Sequence, residues 1–196
     1  ARFCCILVII LYLSDVTKWL IYFFRILKLG RVNIMRYMVD IFKDESVMEC
    51  AIKVVMISSS GKQELGVDNR GVFRDALSAF WSQFYDSCTV GEQERVPVVR
   101  HDFQVLEWMA IARILVKGYE DAKVFPIKLS KVFVSTVLFD EEVITNDLML
   151  ESFLSYISSD EKDLVTEALK TEELSEEQNE EWEEFLERFG SRKIPK

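Results

Sequence analysis

Gly66-Val67-Asp68-Asn69-Arg70-Gly71-Val72-Phe73-Arg74-Asp75 leads a glycine-bracketed, turn-prone segment into an amphipathic stretch that opens on an Arg-Asp pair. Glycine reaches positive φ at no steric cost, and Asp or Asn can bond its own backbone, so Gly61 to Gly71 reads as a loop. Beyond it, Val72, Phe73, Ala76, Leu77, Phe80, Trp81, Phe84 and Tyr85 recur at helical spacing. An apolar stripe this broad belongs at the centre of a core. Upstream, Ala51 to Ile57 is a β-branched run bounded by Ser58-Ser59-Ser60-Gly61, which predicts a buried strand. Strand, loop and helix together point to an α+β fold, predominantly helical, with a small β element.

Further helices follow by periodicity and caps. Val32 to Phe42 is helical or mixed in pattern. Cys88 to His101 reads as a polar connection containing Gly91 and Pro97. Asp102 is positioned to cap a helix with Phe103, Leu106, Met109, Ala110, Ile114 and Leu115 on its apolar face, and Gly118 to end it. After a break at Pro126, Ile127 to Phe139 resumes a helical pattern. Asn146 is placed to cap the next helix, and Ser159 or Asp160 the one after, with Leu164, Val165 and Leu169 inward. Ser175-Glu176-Glu177-Gln178 fits a capping box opening a helix whose apolar face is Trp182, Phe185, Leu186 and Phe189.

The first thirty residues differ from the rest. Phe3 to Leu13 is apolar throughout, then Asp15 and Lys18 interrupt before Trp19 to Phe24. The first run falls short of the roughly 18 residues of a membrane span. A combined span would place two charges near the bilayer centre. Residues 1–30 therefore read as a hydrophobic leader outside the working domain, either a buried helix or an extension. A membrane helix over residues 3–28, with Arg25, Lys28 and Arg31 as its cytoplasmic flank, and a signal peptide are the alternatives. The chain opens on Ala1 and ends on Lys196, which suggests a fragment.

The 196 residues are 49% hydrophobic, enough for one sizeable core and a small second lobe. A net charge of −9 argues against a nucleic-acid surface, because phosphate binding needs clustered Lys and Arg. From Ser158 onward, thirteen acidic and six basic residues contribute −7 of that −9, a pattern best suited to a solvated helix face. Cys4, Cys5, Cys50 and Cys88 form no CxxC pair and there is one histidine, so no zinc site is expected and the thiols read as reduced.

No residue set reads as catalytic. His101-Asp102 are sequence neighbours, which on a helix do not face each other, and no nucleophile is indicated beside them. Cys88 follows Asp86, whose charge opposes thiolate formation, and Cys50 opens a presumed buried strand. Cys4-Cys5 would be lipidation candidates only at a membrane. Gly61-Lys62 lacks the spacing of a P-loop, and Glu141-Glu142 and Glu172-Glu173 show no calcium-loop pattern. No cofactor is implied.

Gly66-x-Asp68-x-x-Gly71-x-x-Arg74-Asp75, followed by its aromatic helix, resembles the start of the HECT domain of E3 ubiquitin ligases. The strand from Ile52 to Ile57 fits the one expected just before it. Glu107-Trp108-Met109-Ala110-Ile111-Ala112-Arg113-Ile114-Leu115, Phe125-Pro126-Ile127-Lys128-Leu129-Ser130 and Gly190-Ser191-Arg192-Lys193-Ile194 are similar to later segments of the same domain, in the same order. The likeness is nearest to divergent HECT-like proteins related to the G2/M-phase-specific ligase and covers Val32 to Lys196. Arg70 stands where the family has the first glycine of a pair, Asp75 where it has Glu, and Ala112 where glycine is common.

The resemblance implies a HECT N-lobe over residues 31–196, truncated before the catalytic C-lobe. The family passes ubiquitin from an E2 conjugating enzyme to a cysteine thioester and on to a substrate lysine. None of the four cysteines matches that position, so the expectation is an N-lobe fragment, inactive alone, with E2 and ubiquitin as partners in the cytoplasm or nucleus. Its E2-binding part would lie toward the C-terminus. Gly66, Asp68, Gly71, Arg74 and Asp75 are then structural. The alternatives are a non-enzymatic interaction module, offering Trp182, Phe185 and Phe189 to a partner groove, and a membrane-anchored helical protein.

Overall fold

A computed structural model describes residues 24–58, 60–63, 69–139, 141–170 and 175–190. The fold is α+β and predominantly helical, with seven α-helices and four short strands among the described residues. The chain divides into two compact units: Ala1–Thr89 with Val98–Ile127, and Val90–Pro97 with Lys128–Lys196.

The first unit is built on a parallel pair. β1 (Phe24–Gly30) runs alongside β2 (Ala51–Ile57), from Phe24 opposite Ala51 to Gly30 opposite Ile57. Parallel strands need a long crossover, here supplied by α1 (Ile34–Phe42) and a 3-10 turn at Glu45–Glu49. Alternation buries Leu27 and Leu29 from β1 and Val54 and Met56 from β2. Arg25 also points inward, its guanidinium donating to Asp44 at 2.8 Å and Ser46 at 3.2 Å. The expected leader is therefore corrected for residues 24–30, which form a core strand instead of a helix or an extension. Residues 1–23 lie outside the described residues. No described helix is long and apolar enough to cross a membrane.

α2 (Asn69–Cys88) supplies most of the remaining core. Phe73, Ala76, Leu77, Phe80, Trp81, Phe84 and Tyr85 are all buried, as their spacing required. The rings of Phe80, Trp81 and Phe84 meet at 4.9–6.2 Å, and Phe84 meets Trp108 of α3 (Val105–Ala122) edge-on at 6.4 Å. Each large side chain buried this way stabilises by about 1.5–3 kcal/mol. The helix starts at Asn69, so the expected loop to Gly71 is shorter: Asn69, Arg70 and Gly71 are already helical. A non-glycine residue at 70 is then ordinary, since a helix needs no positive φ there.

Two further readings are corrected in α3. Asp102 is not its cap; the carboxylate is taken by Arg100, and the helix starts after Gln104, whose N–H donates to Glu107 at 2.8 Å. Gly118 does not end α3. The helix runs on to Ala122 and closes on Lys123 at φ 55°. Gly118 is buried where a Cβ would come within 3.0 Å of Leu77 Cδ2, so its role is close helix packing.

The second unit holds α4 (Lys131–Phe139), α5 (Asn146–Tyr156), α6 (Ser159–Ala168) and α7 (Glu176–Arg188). α4 starts at Lys131, later than its apolar pattern suggested, because Ser130 Oγ accepts the Phe133 N–H at 3.3 Å. Thr145, not Asn146, caps α5, accepting the Leu148 N–H at 3.2 Å. Ser158, not Ser159 or Asp160, caps α6 and forms a capping box with Glu161. The expected Ser175–Gln178 box opens α7. The core is small: Ile157, Val165 and Phe185, with Phe153, Leu154, Tyr156, Leu164, Trp182 and Leu186 packed around it. Leu169, expected inward, is exposed, one residue past the end of α6.

Candidate functional site

Of the motif residues, Gly71, Arg74 and Asp75 lie among the described residues. Arg74, on the first turns of α2, donates from Nε to the Ala122 carbonyl at 2.9 Å. It thereby closes the C-terminus of α3, where unpaired carbonyls and the negative helix end favour a cation. Arg113 of α3 does the same for α1, donating to the carbonyls of Phe42 and Lys43 at 3.1 and 3.2 Å. Lys117 donates to the Met48 carbonyl at 3.2 Å, at the end of the 3-10 turn. Asp75 is exposed, Gly71 sits half-buried within α2, and Gly66 and Asp68 lie outside the described residues.

A cleft of about 380 Å³ opens where β1 and β2 end and α1 begins, lined by Gly30, Arg31, Val32, Asn33, Tyr37, Ile57 and Ser58. The carboxyl ends of parallel strands are a common ligand position. Here the Met35 N–H of α1 is already bonded to Gln83 Oε1 at 3.1 Å. The same amide donates from Nε2 to the carbonyls of Arg31 and Val32. A group that would hold an anion is thus engaged by α2.

His101 and Asp102 form no acid–base pair. His101 is exposed, and Asp102 is gripped by Arg100 through two bonds of 2.8 and 2.7 Å. The hydrogen bonds from Arg100 hold the Asp102 carboxyl below its ordinary range, and Asp102 raises Arg100. Arg100 also donates to the Ser87 carbonyl and comes within 3.8 Å of Cys88 Sγ. Cys88 is fully buried, and its hydrogen-bonding neighbours, Ser87 and Arg100, include no base. Cys50 is half-buried instead of core, its thiol donating to the Ser46 carbonyl at 3.3 Å. Cys4 and Cys5 lie outside the described residues. No group of three or more His, Cys, Asp or Glu among the described residues could hold a metal ion.

The stretch expected as a polar connection proves to organise the second unit. The N–H groups of Glu92, Gln93 and Glu94 donate to the carbonyls of Tyr156 and Ser155 at 2.9–3.0 Å, at the C-terminus of α5. The Glu94 carboxylate is buried at the opposite kind of helix end. It accepts the Lys131 N–H of α4 at 2.9 Å and the Ser152 hydroxyl, and lies 3.8 Å from Lys131 Nζ. Donors at a helix C-terminus and a carboxylate at an N-terminus satisfy both sets of unpaired groups. The turn depends on Gly91 at φ 114°, where a Cβ would sit 2.3 Å from the Glu94 carbonyl oxygen. Lys131 also pairs with Glu151, which raises the lysine and lowers the carboxyl. Neither Glu94 nor its role has a signal in local periodicity; a lone Glu between polar residues looks solvated.

This scaffold presents an apolar surface. α4 buries none of its residues fully, and Val137, Leu138 and Phe139 at its end are exposed. Val143, Met149 and Leu150, on the following 3-10 turn and α5, are exposed as well. Large uncovered apolar patches mark protein or ligand contacts more often than single exposed residues do. The face of α7 is differently used. Phe185 is buried, Trp182 stacks on it at 5.3 Å, and Phe189 packs on Phe153 and Phe185 at 5.5 and 5.0 Å. Phe185 and Trp182 thus serve the unit's own core, while Phe189 stays 45% exposed. No family model matches the chain, and comparison with curated proteins and with solved structures finds no similar protein.

Proposed function

We propose that this chain is a protein-docking portion of a HECT-type ubiquitin ligase, corresponding to its N-lobe, and that it receives a ubiquitin-charged E2 enzyme without itself carrying the thioester. The observation that carries the docking reading is the exposure of Val137, Leu138 and Phe139 on α4 and of Met149 and Leu150 on α5 in the second unit. That unit is where the resemblance puts E2 binding. The family part rests on the order of sequence motifs, with β2 ending at Ile57 ahead of the Gly66–Asp75 segment and the aromatic α2 starting within it at Asn69. Arg74 fits the structural role that the resemblance gives it.

The test titrates the full chain with a panel of E2 enzymes, free and charged with ubiquitin, reading affinity by interferometry and adducts on non-reducing gels. The expected result is binding in the micromolar range to at least one E2, weakened about tenfold or more by Phe139→Asp, a loss on the order of 1.4 kcal/mol. No ubiquitin should appear in reducible linkage to the chain. Failure of every E2 to bind overturns the proposal. A reducible ubiquitin adduct on a cysteine of the chain overturns the non-catalytic part of it.

A further inference from the structure

α4 is the helix of the second unit that its own sequence supports least. Lys131-Val132-Phe133-Val134-Ser135-Thr136-Val137-Leu138-Phe139 contains three valines and a threonine, whose branched side chains lose freedom in a helix. Nine residues are too few to hold a helix in water without packing. Packing is slight here: α4 has no fully buried residue, whereas α5, α6 and α7 bury Ser152, Val165 and Phe185. Its first turn has no acidic residue, and it opens on Lys131, a cation at the positive end of the helix dipole.

The missing anion comes from Glu94, 37 residues upstream. Its carboxylate is buried, and a carboxylate only accepts hydrogen bonds. One oxygen takes both the Lys131 N–H, at 2.9 Å, and the Ser152 hydroxyl. Ser152, whose proton goes to Glu94, accepts the Ser130 hydroxyl at 2.9 Å. Ser130 then has its lone pairs left for the Phe133 N–H at 3.3 Å. Glu94 thus fixes two of the first three N–H groups of α4, one directly and one through two hydroxyls.

We infer that α4 is a conditional helix. It forms when the Glu94 carboxylate is seated against Lys131 and Ser152, and it unwinds when that carboxylate withdraws, while α6 and α7 stay folded. Ordering of a segment by one charged contact is a recurring form of switch. The later helices are independent of it, because each carries its cap in adjacent sequence, at Thr145, Ser158 and Ser175. Val137, Leu138 and Phe139 lie at the far end of α4, so the transition makes and unmakes the apolar surface that they form. Control of E2 docking by this transition rests on the docking role proposed above; the transition itself does not.

The test is amide hydrogen exchange of the full chain, comparing the amides from Val134 to Phe139 with those of α6 and α7. Glu94→Ala should speed exchange in α4 about tenfold or more, the loss of a charged helix cap, and leave α6 and α7 unchanged. Glu94→Gln, whose amide oxygen still accepts both bonds, should stay within about threefold of the parent chain. Val137→Ala added to Glu94→Ala should slow α4 again by about threefold through helix propensity alone, a recovery that a purely structural contact would not show. Unchanged α4 exchange in Glu94→Ala overturns the inference, as does a Glu94→Gln no better than Glu94→Ala, or no recovery with Val137→Ala. Equal loss of protection in α6 and α7 also overturns it, since Glu94 would then support the whole unit. Where an E2 binds the parent chain, Glu94→Ala should weaken it about tenfold, the fraction of folded α4 setting the apparent affinity. Undiminished binding beside an unwound α4 overturns the control of docking and leaves the transition standing.

Discussion

The two units solve the problem of stability differently. In the first, α2 lies against β2, α1 and α3 and buries an aromatic series from Phe73 to Tyr85, while Arg74, Arg113 and Lys117 close helix ends around it. The second unit has a small core around Ile157, Val165 and Phe185 and relies on ends: capping boxes at Ser158 and Ser175, the Glu94 carboxylate, and a clasp between Glu161 and Arg188. Burial scales with apolar area, whereas a cap contributes about 1 kcal/mol and an exposed ion pair less. The second unit therefore sits nearer its stability threshold.

The sharpest way to break this contrast is to remove one core ring from each unit. Phe80→Ala should cost about 4 kcal/mol, because its side chain is fully enclosed and the cavity cannot collapse. Phe185→Ala should cost about 3 kcal/mol, the lower end of the range, since half-exposed neighbours can close over the gap. Amide hydrogen exchange, followed segment by segment, separates the two. Protection in α1, α2 and α3 should fall with Phe80→Ala, and protection in α5, α6 and α7 with Phe185→Ala. Equal losses, or a larger loss for Phe185→Ala, would remove the distinction drawn here.

What the sequence disclosed follows the same division. β2 and the buried face of α2 were legible because periodicity and β-branching report local burial. β1 was not: Phe24–Gly30 continues an apolar run, and only its parallel pairing with β2, across a long crossover, makes it a strand. Cap positions were displaced by a residue or two, at Gln104, Thr145 and Ser158, because neighbouring polar side chains offer similar acceptors and tertiary contacts choose among them. The Glu94 node was invisible, since its partners Lys131 and Ser152 lie far along the chain. The exposure of Val137, Leu138 and Phe139 on α4 was also hidden, because an apolar helix pattern predicts burial.

A smaller effect sharpens the packing side of the comparison. Gly118→Ala gains helix propensity of about 1 kcal/mol, but its Cβ would press on Leu77 at 3.0 and 3.2 Å. Overpacking in a filled core costs about 1–3 kcal/mol, so a net loss of about 1 kcal/mol is expected in urea unfolding. In a Leu77→Ala background the obstruction is gone, and the same Gly118→Ala change should become stabilising. Loss of stability in both backgrounds would mean that Gly118 acts through its backbone after all.

The smallest effect concerns acid. In the first unit, hydrogen bonds from the Ser46 side chain and then from Arg25 hold the Asp44 carboxyl below its ordinary 3.8. In the second, partial burial pushes Glu161 up, but hydrogen bonds from Ser158 and Arg188 outweigh it, leaving Glu161 below its ordinary 4.5. A carboxyl depressed on folding stabilises above its unfolded value, and that contribution disappears as pH falls through the folded one. The Glu161 contribution therefore begins to fade below 4.5, and the Asp44 contribution only below 3.8. Both carboxylates are partly exposed, so solvent screening keeps each effect small. Hydrogen exchange between pH 6 and pH 3 should show α6 and α7 loosening at higher pH than β1 and the turn at Glu45–Glu49. Glu161→Gln, which keeps an acceptor for the Ser158 N–H but loses the charge for Arg188, should flatten the first transition and leave the second unchanged. If the first unit loosens first, the acid sensitivity resides in other carboxylates, and the clasp between Glu161 and Arg188 contributes nothing measurable to the second unit.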